Sequence, residues 1–199
     1  MVRTTINKDS FQPITSLGEN VTLIRFSKET VYEEVYEGEG EDRHPTGERK
    51  ETDLVTCTEE IIIGEFTPEK VRNVRLKEVE TYDQSEDVNS LFVNAKRMWY
   101  DKVTRTCINY SIGVEKQSGA ETTTLYDDDN VAYVLPIDMA LSLFAQLELY
   151  AKACYNKTAE HKAELMALES AEDILAYNIK AGYPEKISVI IPVTEEEAE

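Results

Sequence analysis

The chain has 199 residues, of which 39 are acidic and 21 are basic, so its formal net charge is −18. A chain of this length can bury a sizeable core without disulfides or a structural metal. The negative charge repels a phosphate backbone and argues against direct binding to nucleic acid. No stretch approaches the ~18 apolar residues that a membrane-spanning helix needs, and the N-terminus lacks a signal-like apolar run. We therefore expect a protein made in the cytosol without membrane contact.

The three cysteines are Cys57, Cys107 and Cys154. Their number is odd, they are far apart, and no CxxC pair occurs among them. Neither a disulfide framework nor a zinc knuckle fits this pattern. We predict that all three are reduced thiols and that most of them are buried.

Residues 1–19 show no clear period and are predicted to be an arm or loop. Residues 21–26 and 31–36 are rich in β-branched and aromatic side chains, which predicts two strands paired through a short polar link. The Gly-rich and Pro-containing segment 38–47 is predicted to be a mobile loop. Strand composition resumes at residues 54–58 and 61–63. The sequence thus predicts a small N-terminal antiparallel β module, residues 1–66, with an acidic outer face.

A helix is predicted to begin at Thr67, because Thr is a good N-cap, Pro68 suits the first helical position and Glu69 complements the helix dipole. It would run to about Tyr82, and residues 83–87 would end it as a module boundary. Its inward positions are expected to be Val71, Val74, Val79 and Tyr82. Its basic residues alternate with acids and are predicted to form a solvated mixed-charge face: Lys70, Arg72, Arg75 and Lys77.

Residues 88–93 and 96–100 flank Asn94 and Ala95 and predict a tight hairpin, although a mirror-image turn favours Gly at the position of Ala95. The following segment, 101–114, fits two structures. Val103, Cys107, Tyr110 and Val114 recur in steps of four, three and four, as on a helix, whereas Ile108, Tyr110, Ile112 and Val114 alternate, as on a strand. Asp101 as a cap and Gly119 as a stop favour the helix.

Residues 122–126 and 131–135 predict a second hairpin around the turn 127–130. It leads into the longest helical pattern, residues 136–168, in which some thirty positions lack Gly and Pro. Apolar side chains recur there in steps of three and four, and the helix would be about 45 Å long. A short helix from Ser170, an extended segment at 187–193 and an acidic tail at 193–199 complete the chain.

The long helix carries the residues that most resemble a reactive site. Cys154 and His161 share a face but lie roughly 10 Å apart along the axis, which is too far for a Cys–His pair. A core thiol and a surface histidine are expected instead. Glu160, His161 and Glu164 leave a metal shell incomplete.

The turn at 127–130 lacks the spacing of a calcium loop and is predicted to be a solvated turn. We predict no catalytic, cofactor-binding or metal-ligating residue.

From about Tyr82 onward several short runs resemble a domain of unknown function that occurs in phage tail-fibre and tail-fibre-assembly proteins and in hypothetical proteins of gut-bacterial phages and prophages. The resemblance covers roughly residues 68–190. It is carried by VNSLFVN at 88–94, WYDKVTR at 99–105, YVLPID at 133–138, LELYA at 147–151, CYN at 154–156, EHK at 160–162 and AGYPEK at 181–186. Ala95 departs from the Gly that commonly follows Asn in that family.

The resemblance implies an α+β fold in which residues 67–192 form a hairpin, a helix, a second hairpin and a long helix. It also implies a non-enzymatic virion structural or accessory protein of the phage tail or tail fibre, assembled in the host cytoplasm. Its partners would be other virion proteins, and a homo-oligomer is expected because virion parts are symmetric. A tail-fibre assembly chaperone is the alternative, and a small metal-dependent hydrolase is the alternative from another class.

Partner contacts are predicted at two places. Trp99, the only tryptophan, is typical of a core anchor, and with Tyr100 it is the candidate for a contact on the first hairpin. The apolar period of the long helix thins after Tyr155, where polar side chains crowd the surface. The second half of this helix is therefore predicted to project or to meet a neighbour, with Tyr155, Leu165 and Leu168 as contact residues.

Overall fold

A computed structural model describes residues 1–38 and 43–191. The chain forms two compact units, and each combines two stretches of sequence. Unit 1 comprises Met1–Val79 and His161–Ala181, and unit 2 comprises Glu80–Glu160 and the segment from Gly182 onward. The predicted α+β class is confirmed, because an antiparallel sheet is followed by helices. The linear division at residues 66/67 and 192/193 stays a prediction, and the acidic tail 193–199 lies outside the described residues.

Unit 1 contains a four-stranded antiparallel sheet in the order β1-β4-β3-β2. Its strands are β1 Val2–Asn7, β2 Ile14–Gly18, β3 Val21–Glu37 and β4 His44–Ile63. β3 and β4 carry its buried side chains, and alternation along the strands places them on two faces: Ile24, Phe26 and Ile62 on one, Val55 and Cys57 on the other. The predicted N-terminal antiparallel sheet is therefore present, and it is larger than the sequence indicated.

The prediction of an N-terminal arm or loop is wrong, because residues 1–19 supply β1, a short 3₁₀ helix and β2. β1 pairs with residues 54–59 of β4. Only Thr4 and Ile6 of β1 are half-buried, so a six-residue strand on the sheet edge carries too short a pattern to identify.

The two strands predicted at 21–26 and 31–36 are one continuous strand, β3. Ser27 takes a positive φ of 53° where the register with β4 shifts between Phe26 and Glu29. The polar link therefore forms a bulge instead of a turn. The predicted loop 38–47 is also wrong from His44 onward, because β4 begins there, while residues 39–42 lie outside the described part.

Helix α1, Pro68–Asp83, confirms the predicted start and end. Its buried residues are Val71, Arg75 and Val79, whereas Val74 is only half-buried. The prediction of a solvated basic face is thus wrong for Arg75, which is fully buried. Unit 1 is completed by helix α4, Ala171–Ala176, whose N-cap is Ser170 as predicted.

Unit 2 has the predicted order of hairpin, helix, hairpin and long helix. The first hairpin is β5 Leu91–Val93 and β6 Lys96–Met98, and the short strand β9, Ser188–Val189, joins β5 in parallel. Helix α2 is Lys102–Gln117, the second hairpin is β7 Thr122–Tyr126 and β8 Ala132–Pro136, and the long helix α3 is Ile137–Ala167.

The first hairpin closes through Asn94 and Ala95, whose φ angles are 49° and 64°. Two consecutive positive φ angles define the mirror-image type I′ turn. Asn94 fixes the turn by bonding both backbone groups of Ile191, at 2.7 Å and 3.0 Å. The tight hairpin is therefore confirmed even though Ala95 pays a steric penalty there that Gly would avoid.

Helix α2 confirms the helical alternative for residues 101–114. The Asp101 carboxylate accepts hydrogen bonds from the backbone N–H groups of Val103 and Thr104. At the other end Gly119, with φ of 86°, ends the helix, and the N–H of Ala120 bonds the Glu115 carbonyl at 3.0 Å. This 6→1 bond is a Schellman motif.

The apolar stripe that predicted α2 is not its buried face. The exposed fractions are 72% for Val103, 74% for Tyr110 and 46% for Val114, and Cys107 is exposed as well. The buried residues are Arg105 and Ile112. The prediction that most of the thiols are buried is confirmed, since Cys57 and Cys154 are buried and Cys107 is exposed.

The predicted period of α3 is confirmed, since its buried residues recur in steps of three and four. In unit 2 they include Phe144, Leu147 and Cys154, and in unit 1 they are His161 and Leu165. The prediction that the second half of this helix projects is wrong, because His161 is 1% exposed and Leu165 is 0% exposed. Both side chains pack within unit 1.

Candidate functional site

The five predicted contact residues fall into both units. Trp99 and Tyr155 line one cleft in unit 2. Tyr100 stacks on Phe144 with ring centroids 5.9 Å apart and belongs to the edge of the core. In unit 1, Leu165 is fully buried and is therefore not available to a partner, while Leu168 is half-buried. The contacts themselves stay predictions.

The cleft in unit 2 has a volume of about 670 Å³, which lies in the usual range for ligand pockets. Trp99 forms part of its wall and is held in place from two sides. The Arg105 guanidinium lies 5.2 Å from the Trp99 ring, and Tyr150 contacts the indole edge-on at 6.4 Å. The Trp99 side chain is thus both an anchor in the core and an exposed part of the cleft wall.

Charged groups of both signs surround this cleft. Arg105 donates to Glu148 and to the Tyr100 carbonyl, each at 2.7 Å, so it is already neutralised. Lys102 and Lys152 also line the cleft and make no ion pair within residues 1–38 and 43–191. The cleft can therefore offer a flat apolar wall and two ammonium groups that can donate hydrogen bonds.

Cys154 lies at the floor of the same cleft and is 4% exposed. Burial raises the pKa of its thiol, so the thiol stays protonated at neutral pH. A protonated thiol is a poor nucleophile and a poor metal ligand. The sequence interpretation of Cys154 as a core thiol is confirmed.

The prediction of a surface histidine is wrong, because His161 is buried in unit 1. Its Nδ1 lies 2.6 Å from the Tyr177 hydroxyl, and its Nε2 lies 2.9 Å from the Ala181 carbonyl oxygen. The same Tyr177 hydroxyl donates to Glu164. His161 therefore ties α3 to the segment after α4, and among the described residues no three His, Cys, Asp or Glu side chains are placed to hold a metal ion.

The acidic turn of the second hairpin is shaped by Asp127, which is 5% exposed. Its Oδ1 accepts from the N–H groups of Asp129 and Val131, at 2.9 Å and 2.8 Å, and its Oδ2 accepts from the Tyr133 hydroxyl at 3.0 Å. Burial opposes ionisation, but these three hydrogen bonds hold the pKa of Asp127 below its ordinary value. The prediction of a solvated turn is thus wrong for Asp127, whose carboxylate accepts hydrogen bonds from within the hairpin.

A buried polar cluster around Arg75 was missed by the sequence interpretation. Arg75 donates to Ser27 Oγ at 2.9 Å, to the Glu78 carboxylate and to the Tyr177 carbonyl oxygen. Ser27 in turn donates to Glu78 at 2.6 Å. These bonds join the β3 bulge at Ser27 to α1 and to Tyr177 at the end of α4.

The sequence did hold a signal for this cluster. Val71, Arg75 and Val79 are spaced by four residues and lie on one helix face. A charged residue in the middle of an apolar stripe indicates a buried and paired charge.

Beyond the four-stranded part of its sheet, unit 1 has a two-stranded ribbon. We call it the β-arm: residues 31–37 of β3 and 44–53 of β4. β1 reaches only to residue 54 of β4, and β2 pairs only with residues 21–24 of β3. No residue of the β-arm is buried. Opposite charges face each other across its two strands, Glu33 opposite Lys50 and Glu34 opposite Arg49.

Comparison of the chain with protein-family models, curated proteins and solved structures finds no match. In the described part of the chain, none of the helices combines the length and the apolar character that crossing a bilayer requires.

Proposed function

We propose that this chain is a non-enzymatic structural or accessory protein of a phage virion, of the tail or tail fibre, and that it acts through protein–protein contacts. The phage context rests on the resemblance of residues 68–190 to the tail-fibre-associated domain. The contact role is supported by one observation, the β-arm of unit 1. Homo-oligomerisation and contact with other virion proteins are part of the proposal.

The β-arm supports a contact role because a two-stranded ribbon is at best marginally stable in water. Within residues 1–38 and 43–191 no third strand pairs with it, and none of its side chains is buried. The outer edge of a strand without a neighbour is a template for pairing with another chain. A partner that covers one face or adds a strand would supply the burial that the ribbon lacks.

Two tyrosines are the natural anchors of this contact. Tyr32 and Tyr36 are 55% and 45% exposed on the β-arm. Tyrosine contributes a large contact area at low cost in conformational entropy and is enriched at interfaces. The charged residues around them would form the polar rim of the contact.

The test compares the double variant Tyr32→Ala/Tyr36→Ala with Tyr126→Ala, which removes a tyrosine of matched exposure, 53%, from a strand of unit 2. All variants should fold, as checked by circular dichroism. Mass spectrometry of purified particles should find the wild-type chain and the Tyr126 variant at the same copy number. The double variant should be reduced at least tenfold.

Equal incorporation of the double variant would contradict the β-arm contact. If the wild-type chain is absent from particles but co-purifies with fibre proteins from the lysate, the protein is an assembly chaperone and not a virion component. Absence from both would contradict the proposed function altogether.

A further inference from the structure

The outward face of α2 is an exposed apolar stripe on a strongly acidic molecule. Val103, Cys107, Tyr110 and Val114 lie within about 60° of one another around the helix axis, given 100° per residue. We call this surface the α2 face. Large exposed apolar patches on soluble proteins mark interaction sites.

The α2 face is also free of charge. Between residues 103 and 114 the only ionisable charge at neutral pH is that of Arg105, which is 5% exposed and bonded to Glu148. Elsewhere charged residues are frequent, at 30% of the chain. A partner recognised by its charge, such as a nucleic acid or a basic peptide, would find no complementary group here.

The four residues of the α2 face have the same spacing whether the helix is read from its N-terminus or from its C-terminus. Its four positions follow in steps of four, three and four, so the pattern is symmetric about a point between residues 108 and 109. If two α2 helices pack antiparallel about that point, Val103 meets Val114 of the second copy, and the small Cys107 meets the large Tyr110. A two-fold interface requires such self-complementarity, and paired large and small side chains interdigitate well.

We propose that the α2 face is a two-fold, antiparallel interface between two copies of this chain. The flanks of the face allow close approach, because Thr106 and Ser111 are small and Gly113 has open space where a Cβ would be. Antiparallel packing also brings the two acidic molecules together at an uncharged surface. This inference does not depend on the β-arm, which lies in unit 1, or on the phage context.

The dimer is expected to be weak. A single helix stripe buries roughly 400–500 Å² per copy, about half of the ~800 Å² of a standard interface. Interfaces below the standard size are typical of weak and transient contacts, and we expect a dissociation constant in the micromolar range or above.

Cys107 gives a direct test, because Cys57 and Cys154 are buried. In the antiparallel dimer the two Cys107 Cα atoms are offset by about 4.5 Å along axes that lie roughly 8–10 Å apart. Because each Cα lies about 2.3 Å from its helix axis on the side that faces the partner, the two Cα atoms are about 6–8 Å apart, at or beyond the upper limit of the 4.4–6.8 Å that a disulfide needs, and a bis-maleimide with a spacer of about 8 Å can bridge them. The reagent should yield a concentration-dependent covalent dimer, and Cys107→Ser should yield none.

The interface is tested with Tyr110→Asp against a matched control, Leu149→Asp, which changes a helical residue of unit 2 with a similar exposure of 69%. Tyr110→Asp should lower cross-linking and the association constant from sedimentation equilibrium at least tenfold, and Leu149→Asp should leave both unchanged. Absence of dimer up to about 0.5 mM, or equal loss in both variants, would overturn the proposal.

Orientation is tested in the Cys107→Ser background. Val103→Cys mixed with Val114→Cys should cross-link between the two proteins, whereas Val103→Cys alone should not, because its two copies would lie about 16 Å apart along the axis. Efficient cross-linking of Val103→Cys with itself would indicate a parallel pair and would refute the antiparallel interface.

Discussion

Arg75 is the charged residue that unit 1 encloses most completely, with 0% exposure. Its guanidinium carbon lies 4.8 Å from the Phe26 ring, and its nitrogen atoms bond Ser27, Glu78 and the Tyr177 carbonyl. Burial lowers the pKa of Arg75 and raises the pKa of Glu78, which shows that each charge depends on the other inside the unit. A buried pair of this kind specifies one arrangement more than it adds stability.

Removing one partner of this pair should therefore lower the free energy of unfolding more than removing both partners. Arg75→Met is expected to lower the free energy of unfolding by about 3–5 kcal/mol, because Glu78 is left buried without its cation. Arg75→Met/Glu78→Met should recover most of that loss. Urea denaturation followed by circular dichroism measures both, and a double variant no more stable than the single one would contradict the explanation.

At the scale of elements, helix α2 contains two glycines in opposite situations. Gly113 lies inside the helix with open space where a Cβ would be, whereas Gly119 ends the helix at a φ of 86°. Gly113→Ala is expected to stabilise the protein by about 0.5–1 kcal/mol, because Gly is a poor helix former. Gly119→Ala should destabilise it by about 1 kcal/mol, since Ala is strained in the left-handed region. Thermal or urea unfolding, at protein concentrations too low for self-association, measures the stability of both variants. If both substitutions changed stability in the same direction, the assignment of the helix end would be contradicted.

Elements with a local signal were predictable from the sequence. The caps Asp101, Gly119 and Ser170 fix their helix ends through neighbours a few residues away, and the period of α3 extends over many turns. β1 was missed because its partner in β4 is about fifty residues distant and its own alternation is short. The polar residues between 26 and 31 predict a link between two strands because polar composition does not distinguish a bulge from a reversal.

The candidate site was only partly predictable for a related reason. Periodicity identifies an apolar face without saying whether that face is covered. On α3 the periodic residues Phe144 and Leu147 are buried, and on α2 the equally periodic Val103 and Tyr110 are exposed. The sequence therefore singled out Trp99 and Tyr155, which both line the cleft, but placed Leu165 at a surface when it belongs to a core.

At the scale of the whole molecule, the net charge of −18 opposes every contact between copies. Salt screens this repulsion, with a Debye length of about 30 Å at 0.01 M and 8 Å at 0.15 M ionic strength. The α2 face contributes no ion pairs that salt could weaken. Self-association should therefore strengthen, by roughly tenfold or more, between about 0.02 M and 0.5 M salt. Sedimentation equilibrium measures it, and an association that weakens with salt would indicate a charged interface elsewhere on the chain.

Unit 1 is discontinuous in sequence, and this has a consequence for the order of folding during synthesis. Arg72 of α1 donates to the carbonyl oxygens of Leu165 and Leu168, at 3.1 Å and 2.7 Å, and Arg75 donates to that of Tyr177. A ribosome must add about ninety residues after α1 before these acceptors exist. All of residues 80–160, the larger stretch of unit 2, is translated in between, although N-terminal domains usually fold first. The larger stretch of unit 2 is thus made before unit 1 receives its closing segment, and unit 2 is itself completed only afterwards, by the segment that carries β9.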